Sequence, residues 1–263
     1  MVKVPKPCPE LSEERDYLAE VTERLRDLLA DELLGVYAGG SYSFCDYRPG
    51  RSDLDVAAVV SNGMPSTLKR SVAERMSASS LPCPARGLEL VVYRLSTARS
   101  TGAEPDFEVN LNTGDGLPEL FEEGPGVDPG FWFPIDRDML RQQGVVLSGP
   151  PAGSVFAAVQ PRALLPLLAE AVAWQRRGAS REDAVLNACR ALRYAREGRW
   201  SSKSTAGEWA IEQAELPAKV VRAALASRQG AAVRVDNDAE PALAAAQRVL
   251  SEAASASRPS PGA

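Results

Sequence analysis

The chain has 263 residues, 44% of them hydrophobic, and its 30 Lys and Arg against 35 Asp and Glu give a net charge of −5. It contains no histidine, which excludes Ser-His-Asp and Cys-His nucleophilic catalysis, His-ligated zinc or haem, and a histidine general base. The length and apolar content suit one large domain or two smaller ones, while the acidic balance disfavours a nucleic-acid partner.

Cysteine usage and the lack of long apolar runs indicate the compartment. The four cysteines are scattered without a Cys-x-x-Cys pair, which argues against a structural zinc site and for a reduced protein. No segment resembles a signal peptide, and none approaches the ~20 apolar residues of a membrane span. We therefore expect a cytoplasmic monomer that does not associate with membranes.

Apolar spacing in the first half predicts an α/β layer. Ser12 is a suitable N-cap, and apolar residues then recur at helical spacing. The run 33–38 is short, partly β-branched or aromatic and ends at Gly39-Gly40, whereas the run 54–60 is rich in Val and is closed by Ser61-Asn62-Gly63. The predicted elements are a helix over 12–31, strands over 33–38 and 54–60, a helix over 68–77 and a strand over 88–93. Such an order is typical of helices packed on a sheet.

From Gln160 onward the pattern predicts helices alone. The first begins at Pro161 and runs to about Arg176, and two capping boxes, Ser180 with Asp183 and Thr205 with Glu208, start the next two. Further helices are predicted from Pro217 to Ala226 and over 238–254. Residues 255–263 are rich in Ser, Pro, Gly and Ala and are expected to be a disordered tail.

The charge distribution supports two domains. Residues 1–150 carry 15 basic and 24 acidic side chains, and residues 151–263 carry 15 and 11. Within the first part, Glu104 to Asp128 holds eight carboxylates and no Lys or Arg, so it is either a solvated loop or a rim that attracts cations. We predict an α+β protein: an α/β domain with a short mixed sheet over 1–150 and an all-α helical bundle over 151–254.

The most informative residues surround the second predicted strand. Gly39 and Gly40 end the first strand and allow positive φ angles and close backbone approach, and Ser41 adds a hydroxyl that suits a phosphate. After an eleven-residue loop, Asp53 and Asp55 stand two positions apart at a strand start, where they share a face about 6.6 Å apart. Two carboxylates without His or Cys select Mg²⁺ or Mn²⁺.

This combination resembles the nucleotidyltransferase superfamily that includes DNA polymerase beta and the aminoglycoside nucleotidyltransferases. The resemblance implies that Gly40, Ser41 and Ser52 bind ATP, and that Asp53 and Asp55 are catalytic residues that hold Mg²⁺. It also implies a reaction in which a substrate hydroxyl attacks the α-phosphorus of ATP and releases pyrophosphate.

Glu89 is the candidate for a third catalytic carboxylate. It stands alone in the apolar run Leu88-Glu89-Leu90-Val91-Val92-Tyr93, which is hard to explain as core. Beside two aspartates it could serve as the general base for the acceptor hydroxyl. The alternative is a solvated position on an edge strand.

A closer resemblance, to the streptomycin/spectinomycin adenylyltransferase branch, runs through the second half of the chain. It is carried by Val145 to Pro150, by Cys189-Arg190-Ala191-Leu192, and by Gly198, Lys203 and Glu208-Trp209-Ala210. In that branch an Arg and a Lys thirteen residues apart reach the nucleotide phosphates, and Arg190 and Lys203 keep the spacing. The resemblance implies that these two cations close the ATP site and stabilise the developing charge.

Departures from the branch bear on the substrate. Asn112 stands where streptomycin-modifying members place a tryptophan, and Arg176 and Ser180 replace expected acids. These losses favour spectinomycin over the polycationic streptomycin, although Glu104, Asp106 and Glu108 are possible substitute acids. We therefore expect an ATP-dependent adenylyltransferase acting on an aminoglycoside or aminocyclitol, of the antibiotic-resistance type.

Two alternatives stay open at this stage. The same catalytic core could transfer AMP to another small molecule or to a protein. From a different class, the chain could be a non-catalytic antitoxin or regulatory partner with the nucleotidyltransferase fold. The ~100 further residues after the predicted first domain argue against a minimal antitoxin module.

Overall fold

The structure, a computed structural model, describes residues 11–126, 129–178, 180–235 and 238–257. The chain divides into two compact units, Met1–Ala158 and Val159–Ala263. Strands lie in the first unit and the second is helical where it is described, which confirms the predicted α+β fold. Residue 150, the domain boundary drawn from the sequence, lies within the limits of the first unit.

A mixed sheet of six strands forms the centre of the first unit, in the order β5-β4-β3-β2-β1-β6. Strands β2 and β3 are parallel, and the other neighbouring pairs are antiparallel. The strands are β1 (Leu33–Ala38), β2 (Leu54–Val60), β3 (Leu88–Arg94), β4 (Val109–Thr113), β5 (Leu120–Glu122) and β6 (Val145–Ser148). The predicted bounds of β1 and β2 are confirmed, and β3 extends one residue further than predicted.

Helices surround this sheet. They are α1 (Ser12–Leu29), α2 (Gly40–Ser43), α3 (Ser66–Met76), α4 (Leu95–Ala98), α5 (Trp132–Gln143) and α6 (Ala152–Val155), with a 3-10 turn over Ala30–Glu32. The predicted helix over 12–31 is thus α1 followed by the start of that turn. Helix α5 was not predicted from the sequence.

Side chains alternate along the strands and pack into two separate hydrophobic cores. Leu54, Val56, Leu88 and Leu90 belong to the core that contains apolar residues of α1 and α3. The intervening positions, such as Tyr93, belong to a second core with Phe133, Leu140 and Phe156. Because strand side chains alternate between faces, Asp55 and Glu89 fall on the face of the second core.

The acidic stretch from Glu104 is partly structured, so the interpretation as a solvated loop is wrong for its middle. It contains β4 and β5. Glu108, which precedes β4, is 4% exposed, and its carboxylate lies 2.9 Å from Lys69 Nζ and 2.6 Å from Arg94 Nε. Asp106 accepts hydrogen bonds from Thr97 Oγ1 and Arg94. These ion pairs neutralise two of the acids that were considered as substitute substrate ligands.

The second unit consists of the helices α7 (Pro161–Gly178), α8 (Arg181–Glu197), α9 (Lys203–Glu212), α10 (Ala218–Arg228) and α11 (Ala239–Ala256). The predicted cap at Ser180 is confirmed, because its Oγ accepts a hydrogen bond from the Asp183 amide. The predicted cap at Thr205 is wrong. Helix α9 begins two residues earlier, and Ser202 Oγ accepts from the Thr205 amide at 2.9 Å.

The last helix continues through Ala256, two residues beyond the predicted end. Residues 258–263 of the predicted tail lie outside the described residues. Among the described helices, none combines the length and the apolar character that a membrane crossing requires.

Candidate active site

The turn after β1 packs directly against Asp55. The Gly39 amide donates a hydrogen bond to the Asp55 carbonyl oxygen at 2.8 Å, and the chain then turns at Gly40 with φ of +50°. A Cβ at Gly40 would collide with the Asp55 carboxylate, and one at Gly39 would stand 3.2 Å from Leu140 Cδ2. Both the φ angle and the space therefore require glycine at position 40. The backbone of this turn therefore lies directly against the Asp55 carboxylate, and we call the turn at Gly39 and Gly40 the backbone cradle.

Strand register places Asp55 next to Glu89. The two residues are direct partners in the parallel β2–β3 pair, where neighbouring strands lie about 4.8 Å apart. Their flanking residues Leu54 and Leu88 are fully buried on the opposite face, while both acids are half-buried. The predicted acids Asp55 and Glu89 are thus brought together on one face, at the end of the strands where the apolar layer stops.

The position of β3 excludes the alternative that Glu89 is a solvated residue on an edge strand. Strand β3 lies between β2 and β4, so Glu89 is not on an edge strand. Its partner on β4 is Asn112, which gives a row of polar residues, Asp55, Glu89 and Asn112, across three strands. A half-buried carboxylate on a central strand is costly unless it serves a ligand or a polar neighbour. The row is the strongest candidate for the reacting centre.

Asp53 immediately precedes β2 and lies two residues from Asp55. Its negative charge reaches Tyr47 and Cys83, where it adds to burial, the largest cause, in raising the pKa of both groups. Among the described residues, no three Asp, Glu or Cys side chains form a cluster that could hold a metal. The structure therefore pairs Asp55 with Glu89, and the convergence of all three acids stays a prediction.

The two predicted serine ligands differ in their surroundings. The Ser41 hydroxyl is buried in the turn and finds no hydrogen-bond partner in the part of the chain that the structure describes. Ser52 is 6% exposed, and its hydroxyl oxygen accepts a hydrogen bond from the Arg48 amide at 3.0 Å. Ser52 thus stabilises the loop before Asp53. A buried hydroxyl normally has a hydrogen-bond partner, so the Ser41 hydroxyl is available to bind a ligand.

Arg190 lies on α8 in the second unit, where neighbouring side chains hold its guanidinium. Its Nη1 donates to Asn187 Oδ1 at 3.4 Å, and its Cζ lies 6.0 Å from the centre of the Trp200 ring. Trp200 in turn stacks on Tyr194, with ring centres 4.4 Å apart. The sequence interpretation considered Trp200 only as a possible pocket wall or core residue and did not predict its contact with Arg190.

Lys203 is the first residue of α9 and forms an ion pair with Asp183. Its Nζ lies 2.6 Å from Asp183 Oδ1. Burial alone would raise the pKa of Asp183, but Lys203, the Ser180 hydroxyl and Arg228 outweigh it and hold that pKa below its usual range. The sequence interpretation assigned Asp183 to a helix cap and missed this second contact.

Comparisons with known proteins bear on the family of the second unit and on the fold. Residues 152–252 match the family model for the aminoglycoside adenylyltransferase C-terminal domain. The fold is similar to that of spectinomycin adenyltransferase AAD(9) from Enterococcus faecialis, solved with ATP and spectinomycin, at a TM-score of 0.69 and 15% identity. The match covers 90% of this chain and 98% of that one. The family match assigns residues 152–252 to this domain family, and the structural likeness shows the fold that the resemblance to the aminoglycoside adenylyltransferase branch implies.

Two further comparisons add nothing to the assignment. A mutant of the toxin–antitoxin MntA-HpeT also matches, with 15% identity over 61% of this chain and 90% of that chain, but its TM-score of 0.29 is too low for an argument. No curated protein matches the chain by sequence.

Proposed function

We propose that this chain, whose helical unit is an aminoglycoside adenylyltransferase C-terminal domain, transfers AMP from ATP to a hydroxyl of an aminocyclitol, with spectinomycin preferred to streptomycin. The observation that carries the proposal is the β2–β3 register, which sets Asp55 beside Glu89 and under the Gly39–Gly40 turn. A nucleotidyltransferase needs these parts together: a phosphate cradle, a carboxylate for a metal and a base for the acceptor.

In this proposal Glu89 is the general base. Its carboxylate accepts the proton from the acceptor hydroxyl while the hydroxyl oxygen forms a bond to the α-phosphorus, and the bond from that phosphorus to pyrophosphate breaks. Glu89 suits the role because it is half-buried on a central strand and has a carboxylate as its neighbour.

The residues around Asp55 are of the chemical kind that binds magnesium. Asp53 and Asp55 offer hard carboxylate oxygens, which Mg²⁺ prefers, and Asp55 is pressed against the backbone cradle at Gly40. Bound Mg²⁺ would neutralise charge on the phosphates and lower the barrier to attack. Ser41 offers a buried hydroxyl to a phosphate oxygen, and Arg190 and Lys203 supply further positive charge for the triphosphate.

The preference for spectinomycin rests on Asn112 in the reacting row and on the acids that were considered as ligands for a polycation. Asn112, the β4 neighbour of Glu89, offers neither the charge nor the ring that a streptomycin site would use. Asp106 and Glu108 are engaged by Arg94, Thr97 and Lys69, so they add no unpaired charge for a polycation. A smaller and less charged aminocyclitol therefore suits this surface better.

The test is direct. The protein is incubated with Mg²⁺, ATP labelled at the α-phosphate, and either spectinomycin or streptomycin, and the drug is analysed by mass spectrometry. We expect an AMP adduct on spectinomycin and pyrophosphate release in equal amount. An adduct on streptomycin alone would contradict the proposed specificity, and no adduct on either drug would favour an acceptor of another class.

A further inference from the structure

The starting observation is that Lys203 is already held by a carboxylate in the helical unit. The ammonium group lies 2.6 Å from Asp183 Oδ1, and the two side chains are 25% and 43% exposed. Lysine has many rotamers, so an unpartnered Lys203 would sample many positions. The ion pair favours the position beside Asp183.

Asp183 is itself anchored at the start of α8. Its amide donates to Ser180 Oγ at 3.3 Å, and its Oδ2 accepts from the Ser180 hydroxyl at 2.7 Å. One carboxylate oxygen thus belongs to the helix cap and the other to Lys203. The capped start of α8 therefore fixes the start of α9 through two side-chain contacts.

This arrangement leaves Lys203 able to bind a ligand. An ammonium group has three N–H donors, and the contact with Asp183 Oδ1 uses one of them. The remaining donors can reach phosphate oxygens without the ion pair being broken. Holding the side chain in place before binding removes the entropy cost that a mobile side chain would incur on binding.

We propose that Asp183 is a positioning residue for nucleotide binding, which holds Lys203 ready for the polyphosphate of ATP. The inference rests on the proposed function, because it requires that Lys203 contacts the nucleotide. Asp183 does not touch ATP in this proposal, and it acts through the lysine alone. The proposed role of Asp183 therefore does not change the charge of the reacting atoms.

The experiment measures ATP affinity by calorimetry with Mg²⁺ present and no acceptor, so that it does not depend on turnover. Four proteins form a double-mutant cycle: the wild type, Asp183→Asn, Lys203→Ala and the double variant. Asparagine keeps the oxygen that the Ser180 hydroxyl needs. We expect Asp183→Asn to raise the Kd for ATP about fivefold when Lys203 is present, and to have no effect once Lys203 is alanine.

A matched control lies on the same helix. Glu197→Gln removes the ion pair that Arg193 Nε makes at 3.0 Å, at the opposite end of α8 from Asp183, and should leave the Kd unchanged. Unfolding temperatures are measured for all variants, so that a loss of fold is recognised. Equal effects of Asp183→Asn with and without Lys203, no effect at all, or tighter binding would overturn the inference.

The same data separate the inference from the proposed function. If the wild type does not bind ATP, the proposed function fails and the inference with it. If ATP binds and Lys203→Ala weakens it, while Asp183→Asn does not, the inference alone fails.

Discussion

The two units hold their candidate residues by different means. In the first unit the backbone does so: strand register sets Asp55 beside Glu89, and a glycine turn presses on Asp55. In the helical unit side chains hold side chains, since Lys203 is paired with Asp183 and Arg190 lies near Trp200. Strand register depends on many residues along the strands, whereas an ion pair is lost with one substitution.

This difference separates two kinds of defect. Substitution of a carboxylate in the sheet should remove chemistry and leave its neighbours in place. Substitution of a holding residue in the helical unit should change affinity for the nucleotide, with chemistry preserved. The following tests would refute or refine this distinction between loss of chemistry and loss of nucleotide affinity. They are ordered from the largest expected effect to the smallest.

Asp55→Asn should abolish adenylyl transfer, with a loss of more than ~10³-fold in kcat, because the amide oxygen is a poor ligand for magnesium. Asp53→Asn should behave in the same way. Initial rates of pyrophosphate release at several Mg²⁺ concentrations provide the measurement. Asp115→Asn, an exposed acid in the turn after β4, is the control and should keep full activity. Wild-type rates in Asp55→Asn would remove that residue from the catalytic centre.

Glu89→Gln should slow transfer ~10²–10⁴-fold while ATP affinity stays within about twofold, because the amide cannot accept the acceptor's proton. Initial rates and ATP titrations of both proteins provide the comparison. An unchanged rate would exclude Glu89 as the base and leave the β2–β3 row without a chemical role.

Gly40→Ala tests the backbone cradle, and we expect a loss of about 100-fold in kcat/KM. The methyl group would collide with the Asp55 carboxylate and displace it, and misplacement by about 1 Å is enough for such a loss. Gly50→Ala is a matched control, because Gly50 also has positive φ but has no atom within 4 Å of the added group. Equal losses in the two variants would mean that backbone strain, and not the contact with Asp55, limits activity.

The sequence predicted those parts of the fold that depend on local patterns. Strands β1 and β2 were placed correctly because short runs with β-branched or aromatic residues end at Gly-Gly or Asn-Gly, and the Ser180 cap was found from its spacing to Asp183. Thr205 failed by the same rule, because Ser202 offers an equivalent hydroxyl three residues earlier. Spacing alone cannot decide between two overlapping caps.

Contacts between distant segments could not be predicted from local sequence patterns. Nothing local marks Arg137 as fully buried, yet it is 1% exposed and donates hydrogen bonds to the carbonyl oxygens of Thr97, Gly102 and Glu104. The acidic stretch read as solvent-exposed because Lys69 and Arg94, which neutralise Glu108, are fourteen or more residues away. A buried charge depends on partners that only the folded chain brings close.

The smallest expected effect concerns whether side-chain ion pairs matter in the first unit too. Glu108→Gln leaves Lys69 and Arg94 without their buried carboxylate, so we expect the free energy of unfolding to fall by about 3 kcal/mol. Glu123→Gln removes the exposed pair between α3 and the end of β5, made by Arg70, and should cost less than ~1 kcal/mol. Urea unfolding of both variants tests this. Equal, small losses would mean that the sheet's backbone pairing holds this unit without the Glu108 pairs, which would sharpen the contrast with the helical unit.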